Sequence, residues 1–175
     1  KDCKKTPPFY FTNAENLDGV PKKYFDKVLM EAVFGFIENK PAAIKQIQSV
    51  LNYKEPLLCI NDFYYHEVPP KEVLNNFQSA TQTQLELLTK DRWLSYLNEF
   101  KVCLWDDFEI PTINSPNPSQ VKQIVEDNNL LELIPEKSTN AFEKISERWK
   151  YFNSIFDENK KYLTGFSATF SPSKC

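Results

Sequence analysis

The sequence predicts an all-α protein: a single compact bundle of about six or seven helices with an extended N-terminal arm, stapled by two disulfides. Three observations lead there. Apolar residues recur at intervals of three and four along most of the chain. Strand signals are sparse, because three glycines and the absence of any Asn-Gly pair leave little material for tight hairpins. Four widely spaced cysteines suit a stapled domain.

Residues 1–20 carry Pro7-Pro8, then Phe9-Tyr10-Phe11, then Asp18-Gly19, the pattern of an extended arm closed by a turn. From Pro21, residues Tyr24, Phe25, Val28, Leu29, Ala32, Val33, Phe36 and Ile37 make a wide apolar stripe at helical spacing, which predicts a buried first helix. Pro41 suits the first turn of a second helix, with Ile44, Ile47, Val50 and Leu51 inward as far as Tyr53. Leu57, Leu58, Cys59 and Phe63 then predict a short third helix, stopped by Pro69-Pro70. Lys71 to Lys90 sets Val73, Leu74, Phe77, Ala80, Leu85 and Leu88 opposite a Gln, Thr and Ser run, an amphipathic helix. Asp91 can cap a helix through Trp93, Leu97, Phe100 and Leu104 that ends near Trp105.

Residues 106–118 read as a proline-rich loop, the one candidate hinge, since Pro111, Pro116 and Pro118 forbid helix. Pro118 can open a helix with Val121, Ile124 and Val125 inward, and Leu130, Leu131, Leu133 and Ile134 form one more apolar patch. Asn140 and Glu143 have capping-box spacing before a long stripe of Phe142, Ile145, Trp149, Phe152 and Phe156 that ends near Gly165. After the N-terminal arm, Gly165 to Phe170 is the segment with an extended reading. No repeat and no composition break divides the chain, so residues 1–175 are expected to form one domain.

Cys3, Cys59, Cys103 and Cys175 show no Cys-x-x-Cys spacing, and His66 is the only histidine, so zinc is not expected. Of the three possible pairings, Cys59 with Cys103 and Cys3 with Cys175 are favoured, the first because the two lie in neighbouring helical patterns, the second because it ties down two loose ends. Each long loop would contribute on the order of 4 kcal/mol in the chain-entropy model. Disulfides imply an oxidising compartment, and the chain opens at Lys1 without an apolar signal region, as a processed chain does. The expectation is a secreted, extracellular protein.

A net charge of −3 and a pI near 5.3 argue against a nucleic-acid partner. The longest apolar runs fall far short of the roughly 20 residues that cross a bilayer, so no membrane span is expected. Charge is distributed unevenly: +3 over residues 1–54, −9 over 55–136 and +3 over 137–175. Lys1, Lys4, Lys5 and Lys174, with Lys160 and Lys161, would then make a basic pole if the termini meet.

Catalytic motifs are scarce. His66 has no serine or free-cysteine motif beside it, and Gly19, Gly35 and Gly165 are too scattered for a phosphate-binding loop. Asp106, Asp107 and Glu109 lack the spacing of a calcium loop, and they would support carboxylate catalysis only if they faced a cleft with another acid. No cofactor is expected, and no metal. The 14 Phe, 8 Tyr and 3 Trp exceed what a small helical core needs. Phe9, Tyr10, Phe11, Phe63, Tyr64, Tyr65 and Trp105 are therefore candidate anchors for a partner or walls of an apolar pocket, as is the stretch from Trp149 to Phe156.

The reading that follows is a non-enzymatic secreted effector or modulator that binds a protein partner, a host or cell-surface factor included. Its alternative is a carrier that holds a small hydrophobic ligand in an aromatic-lined pocket between helices. No family motif is present. In composition alone the chain resembles the small helical effectors secreted by blood feeders and parasites.

Overall fold

The computed structural model describes residues 10–84, 86–112, 114–128 and 140–172. It replaces the helical bundle with an α/β arrangement. The elements are β1 (Lys27–Glu31), a 3-10 turn (Phe34–Phe36), α1 (Lys40–Val50), β2 (Leu57–Tyr65), α2 (Lys71–Thr81), α3 (Lys90–Tyr96), β3 (Phe100–Phe108), α4 (Pro118–Asp127), α5 (Ala141–Lys160) and β4 (Leu163–Pro172). The chain divides into two compact units, one of Lys1–His66, Leu85–Glu109 and Thr164–Cys175, the other of Glu67–Gln84 and Ile110–Leu163.

The first unit holds a four-stranded sheet in the order β1-β2-β4-β3. β1 and β2 are parallel, with Leu29 beside Cys59 and Glu31 beside Asn61. β3 and β4 are antiparallel, with a bulge between Val102 and Leu104. Ser167 hydrogen-bonds Asn61 and Thr164 hydrogen-bonds His66, so β4 also runs against β2. Consequently β1, β2 and β3 point the same way and finish at one rim, where β4 begins.

Three helical readings fail here, each for a physical reason. The stripe from Tyr24 to Ile37 is broken at Ala32, whose φ of 47° no right-handed helix accommodates. Leu57–Tyr65 alternates, with Leu58, Ile60, Asp62 and Tyr64 buried and Cys59, Asn61 and Phe63 half-buried, which is a period of two. The stripe continuing from Trp93 through Leu104 spans two elements: α3 stops at Tyr96, a turn bonds Phe100 N–H to the Leu97 carbonyl, and the chain returns as β3. Lys71 to Lys90 likewise holds a helix only to Thr81, closed by Gln82 in the left-handed region. The proline-rich stretch assigned to a loop from residue 106 is still β3 as far as Phe108.

Capping fixes the helices that do form. Asn39 accepts from Ala42 N–H at the start of α1, with Pro41 in the first turn. Asn117 and Gln120 close a capping box before α4, with Pro118 in its first turn. Against one face of the sheet pack α1 and α3. Met30, Leu58, Ile60, Phe166, Ala168 and Phe170 meet Ile44 and Ile47 of α1 and Trp93 and Leu97 in and after α3. Trp93 is fully buried, stacks on Phe34 at 4.4 Å between centroids, meets Phe166 edge-on at 5.1 Å and donates its indole N–H to the Phe63 carbonyl at 3.0 Å.

In the second unit α5 packs against α2 and α4, with Phe77 and Phe156 rings 6.2 Å apart. Ser146 donates to the Pro116 carbonyl and Asn153 to Ser115, which ties the 114–117 segment along α5.

The disulfide staple is also corrected. Cys59 in β2 and Cys103 at the bulge of β3 are free thiols, held on strands that have β4 between them. Cys3 and Cys175 lie outside the described residues, as do Lys1, Lys4, Lys5, Lys174, Phe9 and the patch from Leu130 to Ile134. The extracellular expectation loses the Cys59–Cys103 support on which it was partly built. Among the described residues no helix is long and apolar enough to cross a membrane.

Candidate functional site

The rim where β1, β2 and β3 end is the candidate site, because in open α/β sheets ligands bind outside the carboxyl ends of the strands. β1 leaves the sheet through Ala32, whose left-handed backbone costs about 1–3 kcal/mol in a non-glycine residue and must be held by its surroundings. The hold is visible. Ala32 N–H bonds the Asn61 carbonyl at 2.9 Å, and Phe34 N–H donates to Asp62 Oδ2 at 3.3 Å. Asp62 sits on β2 just past its last partner in β1, buried, and its other oxygen accepts from Phe63 N–H at 2.8 Å. Burial pushes the Asp62 carboxyl up, against the N–H donors of Phe63, Phe34 and Val33 that pull it down. Asp62 therefore positions the turn after β1.

Two polar groups flank that turn. Lys40, buried at the start of α1, donates to the Ile37 carbonyl at 2.8 Å, lies 3.6 Å from Glu86 and sits over the Phe34 ring. Glu86 also accepts from Arg92 Nε and Tyr96 OH. Against a burial effect that would raise it, these donors and the charge of Lys40 hold its carboxyl below the usual range. Every member of this network is paired, so its role is to fasten α1, α3 and the intervening segment together.

At the end of β2, the exposed His66 places Nδ1 3.0 Å from Thr164 Oγ1. At the end of β3, Lys90 Nζ lies 3.2 Å from Asp107 Oδ2, 4.6 Å from the Trp105 ring centroid and 5.7 Å from that of Tyr64. Trp105 stacks on Phe166 with centroids 4.3 Å apart and donates Nε1–H to Asp107 Oδ1 at 2.6 Å. Burial would raise the Asp107 carboxyl, and the Trp105 and Lys90 donors outweigh it and hold it low.

The structure disperses the residues singled out from sequence. Tyr64 and Tyr65 are buried, Phe63 is half-buried and Trp105 belongs to the Lys90 cluster, whereas Tyr10 and Phe11 are exposed. Lys160 pairs with Asp157 and Thr112, and Lys161 pairs with Glu158, so each is neutralised at the end of α5. Asp107 is engaged by Lys90, and no cluster of three metal-ligating side chains exists among the described residues. Trp149 and Phe152 line an open groove of about 640 Å³ with Ile145, Arg148 and Ala80 in the second unit. The sequence reading missed Ala32, Asp62 and Lys40. Only Asp62 left a trace, as the polar member of the alternating set Leu58, Ile60, Asp62 and Tyr64.

No family model matches the chain, and no curated protein matches it in sequence. Solved structures do match in fold. The MccD protein superposes with a TM-score of 0.65 at 20% identity, over 93% of this chain and 66% of that one. The [4+2]-cyclase SpnF gives a TM-score of 0.59 at 15% identity, over 95% of this chain and 57% of that one. Haemonchus contortus phosphoethanolamine N-methyltransferase 2, in complex with phosphomonomethylethanolamine and S-adenosylhomocysteine, gives 0.57 at 13% identity, over 93% of this chain and 36% of that one. The chain thus spans just under two thirds, or less, of the structures it resembles.

These likenesses correct the expectation of a non-enzymatic effector and that of a carrier. The effector reading rested on the scarcity of catalytic motifs, the charge layout and the surplus aromatics, the carrier on a pocket between helices, and the fold found is instead one carried by a cyclase and a methyltransferase.

Proposed function

We propose that the chain is part of an enzyme of the S-adenosylmethionine-dependent methyltransferase type and that its rim faces the methyl acceptor. The observation that carries this reading is the sheet itself. Three strands finish at one rim with a reversed strand between the second and third, in a fold shared with an N-methyltransferase bound to S-adenosylhomocysteine. Fold alone does not settle chemistry, and SpnF, a cyclase, is similar to the same degree.

The described residues do not make a cradle for S-adenosylmethionine. Gly19 lies in an exposed turn, Gly35 is inside the 3-10 turn, and Gly165 is covered by the Phe108 ring, so none offers bare backbone to a cofactor at the rim. Asp62 is committed to backbone N–H groups and Glu31 to Asn61. What these residues can do is act on an acceptor. An imidazole at the rim can accept a proton from a bound amine or hydroxyl. In His66 the hydroxyl of Thr164 engages Nδ1, and Nε2 has no partner among the described residues. Asp62 keeps the neighbouring turn in place.

The test uses protein purified from its natural source. S-adenosylhomocysteine should raise its melting temperature. His66→Ala should slow methyl transfer by roughly 100-fold or more while leaving that shift intact. Absence of any shift at saturating S-adenosylhomocysteine sinks the reading. A shift without methyl transfer to any amine or hydroxyl acceptor moves the assignment to chemistry of the cyclase kind.

A further inference from the structure

Within the first unit, the ends of β2 and β3 gather two aromatic rings and a carboxylate around one ammonium. Trp105 and Asp107 pair with Ala168 and Phe166 across the β3–β4 ladder, so both stand on the face that packs against α3, and Tyr64 joins them from the buried row of β2. Lys90 opens α3, and the chain just before it is fastened to the end of β2, where Tyr65 N–H bonds the Leu88 carbonyl at 2.8 Å. Its ammonium lies 4.6 Å from the Trp105 centroid, 5.7 Å from that of Tyr64 and 3.2 Å from Asp107 Oδ2.

The walls of this box do not depend on the ammonium. Trp105 stacks on Phe166 with 3° between the ring planes, and its indole N–H is bonded to Asp107 Oδ1. Tyr64 is buried, and its hydroxyl hydrogen-bonds the same carboxylate. Without Lys90, Asp107 keeps two neutral donors that favour its ionised form. The occupant is held loosely by comparison. Lys90 is the first residue of its helix, its side chain and that of Asp107 are each 41% accessible, and water screens the pair. Aromatic faces beside a carboxylate attract any ammonium, and a methylated one gives up less hydration on entering than the strongly hydrated lysine head.

We propose that Tyr64, Trp105 and Asp107 form a binding site for a small methylated alkylammonium, and that Lys90 is its built-in occupant, displaced when the ligand arrives. The tethered lysine competes at an effective concentration of roughly millimolar order, which sets the strength a ligand needs to open the site. An anion fits less well, because it would face Asp107. The inference goes beyond methyl transfer and holds whether or not that is the reaction, since it rests on the rings and the acid alone.

Nuclear magnetic resonance of the full protein, titrated with tetramethylammonium at constant ionic strength, tests this through the Trp105 indole N–H, identified by its absence in Trp105→Phe. In the unaltered protein that resonance should shift and saturate with a Kd on the order of 10 mM. Lys90→Ala should bind roughly tenfold tighter, because the competitor is gone. Adding Asp107→Asn to Lys90→Ala should give back most of that gain. No saturable shift in the unaltered protein overturns the proposal, as does an equal affinity in Lys90→Ala or an equal response to tert-butanol, which has a similar shape without the charge. A trimethyllysine peptide that binds tighter than tetramethylammonium by about an order of magnitude overturns the small-ligand assignment in favour of a protein partner. A saturable shift in a protein blind to S-adenosylhomocysteine leaves this inference standing and removes only the methyl-transfer reading.

Discussion

The two faces of the sheet in the first unit share strands but not physics. On the covered face Leu58, Phe166 and Phe170 are fully buried beneath α1 and α3, whereas on the other face Leu29 and Leu104 stand largely in solvent. On the covered side the buried carboxylate of Asp62 is held by the backbone N–H groups of Phe63, Phe34 and Val33. On the open side Glu31, Asn61 and Ser167 form a simple hydrogen-bonded row, with Asn61 donating to Glu31 and Ser167 donating to Asn61. The difference teaches that the fold's stability is concentrated on one side of the sheet and that its unsatisfied surface lies on the other.

Breaking the covered face should have the largest effect. Phe166 has no exposure and stacks on Trp105 at 4.3 Å, so Phe166→Ala removes a ring from a site with no room to collapse. The expected loss is about 3–5 kcal/mol in urea unfolding. A loss below about 1 kcal/mol would mean that the two faces are equivalent after all.

The open face has one tight point, and it sharpens the contrast. A Cβ added to Gly165 would overlap the Phe108 ring, so Gly165→Ala should cost about 1–3 kcal/mol through displacement of that ring. Phe108 is partly exposed and its ring can leave, so adding Phe108→Ala should recover most of the loss in a double-mutant cycle. Additive losses would show that Gly165 is needed for some other reason.

These residues also show what could be read from the sequence. The caps at Asn39 and Asn117 were not read, but Pro41 and Pro118 mark first turns by local chemistry, and the helices they open were legible. The strands were not. β2 places a buried polar residue among apolar ones, and in Leu57-Leu58-Cys59-Ile60 both faces are apolar, so its period of two is masked just where it begins. At Ala32 a left-handed backbone sits on a residue that gives no hint of it. Trp93 and Leu104 fall on one helical stripe only because the intervals of α3 happen to continue across a turn into β3. The rim was legible in part: Tyr64, Trp105, Asp107 and His66 were noticed singly, but their assembly depends on strand order, which no spacing encodes.

A smaller effect distinguishes the buried carboxylate by its pH dependence. Because burial raises the folded-state value of Asp62 above its ordinary 3.8, the native state holds that proton more tightly than the unfolded chain. Its contribution to stability therefore falls as pH rises from about 3.8 through the raised value, and is flat above it. Asp62→Asn removes this slope and one carboxylate acceptor, so the variant should lose stability near neutrality yet show less pH dependence above about pH 3.8. An unchanged slope would place the dependence on another group.

The smallest effect belongs to the exposed edge of the rim, where Lys90 pairs with Asp107. Both side chains are 41% accessible, and water screens their attraction, so Lys90→Met should change stability by no more than about 1 kcal/mol. The sign of the accompanying pH effect is opposite to that of Asp62. Asp107 is held below its ordinary 3.8, so its contribution is present above that value and disappears as pH falls through the lowered one. Removing Lys90 leaves the Trp105 indole as a donor but takes away the cation, and the Asp107 carboxyl should titrate closer to its ordinary value when followed by NMR. If it does not move, the Trp105 indole and the Tyr64 hydroxyl together hold Asp107 low, and the ammonium over Trp105 and Tyr64 is bound by the rings rather than by the acid.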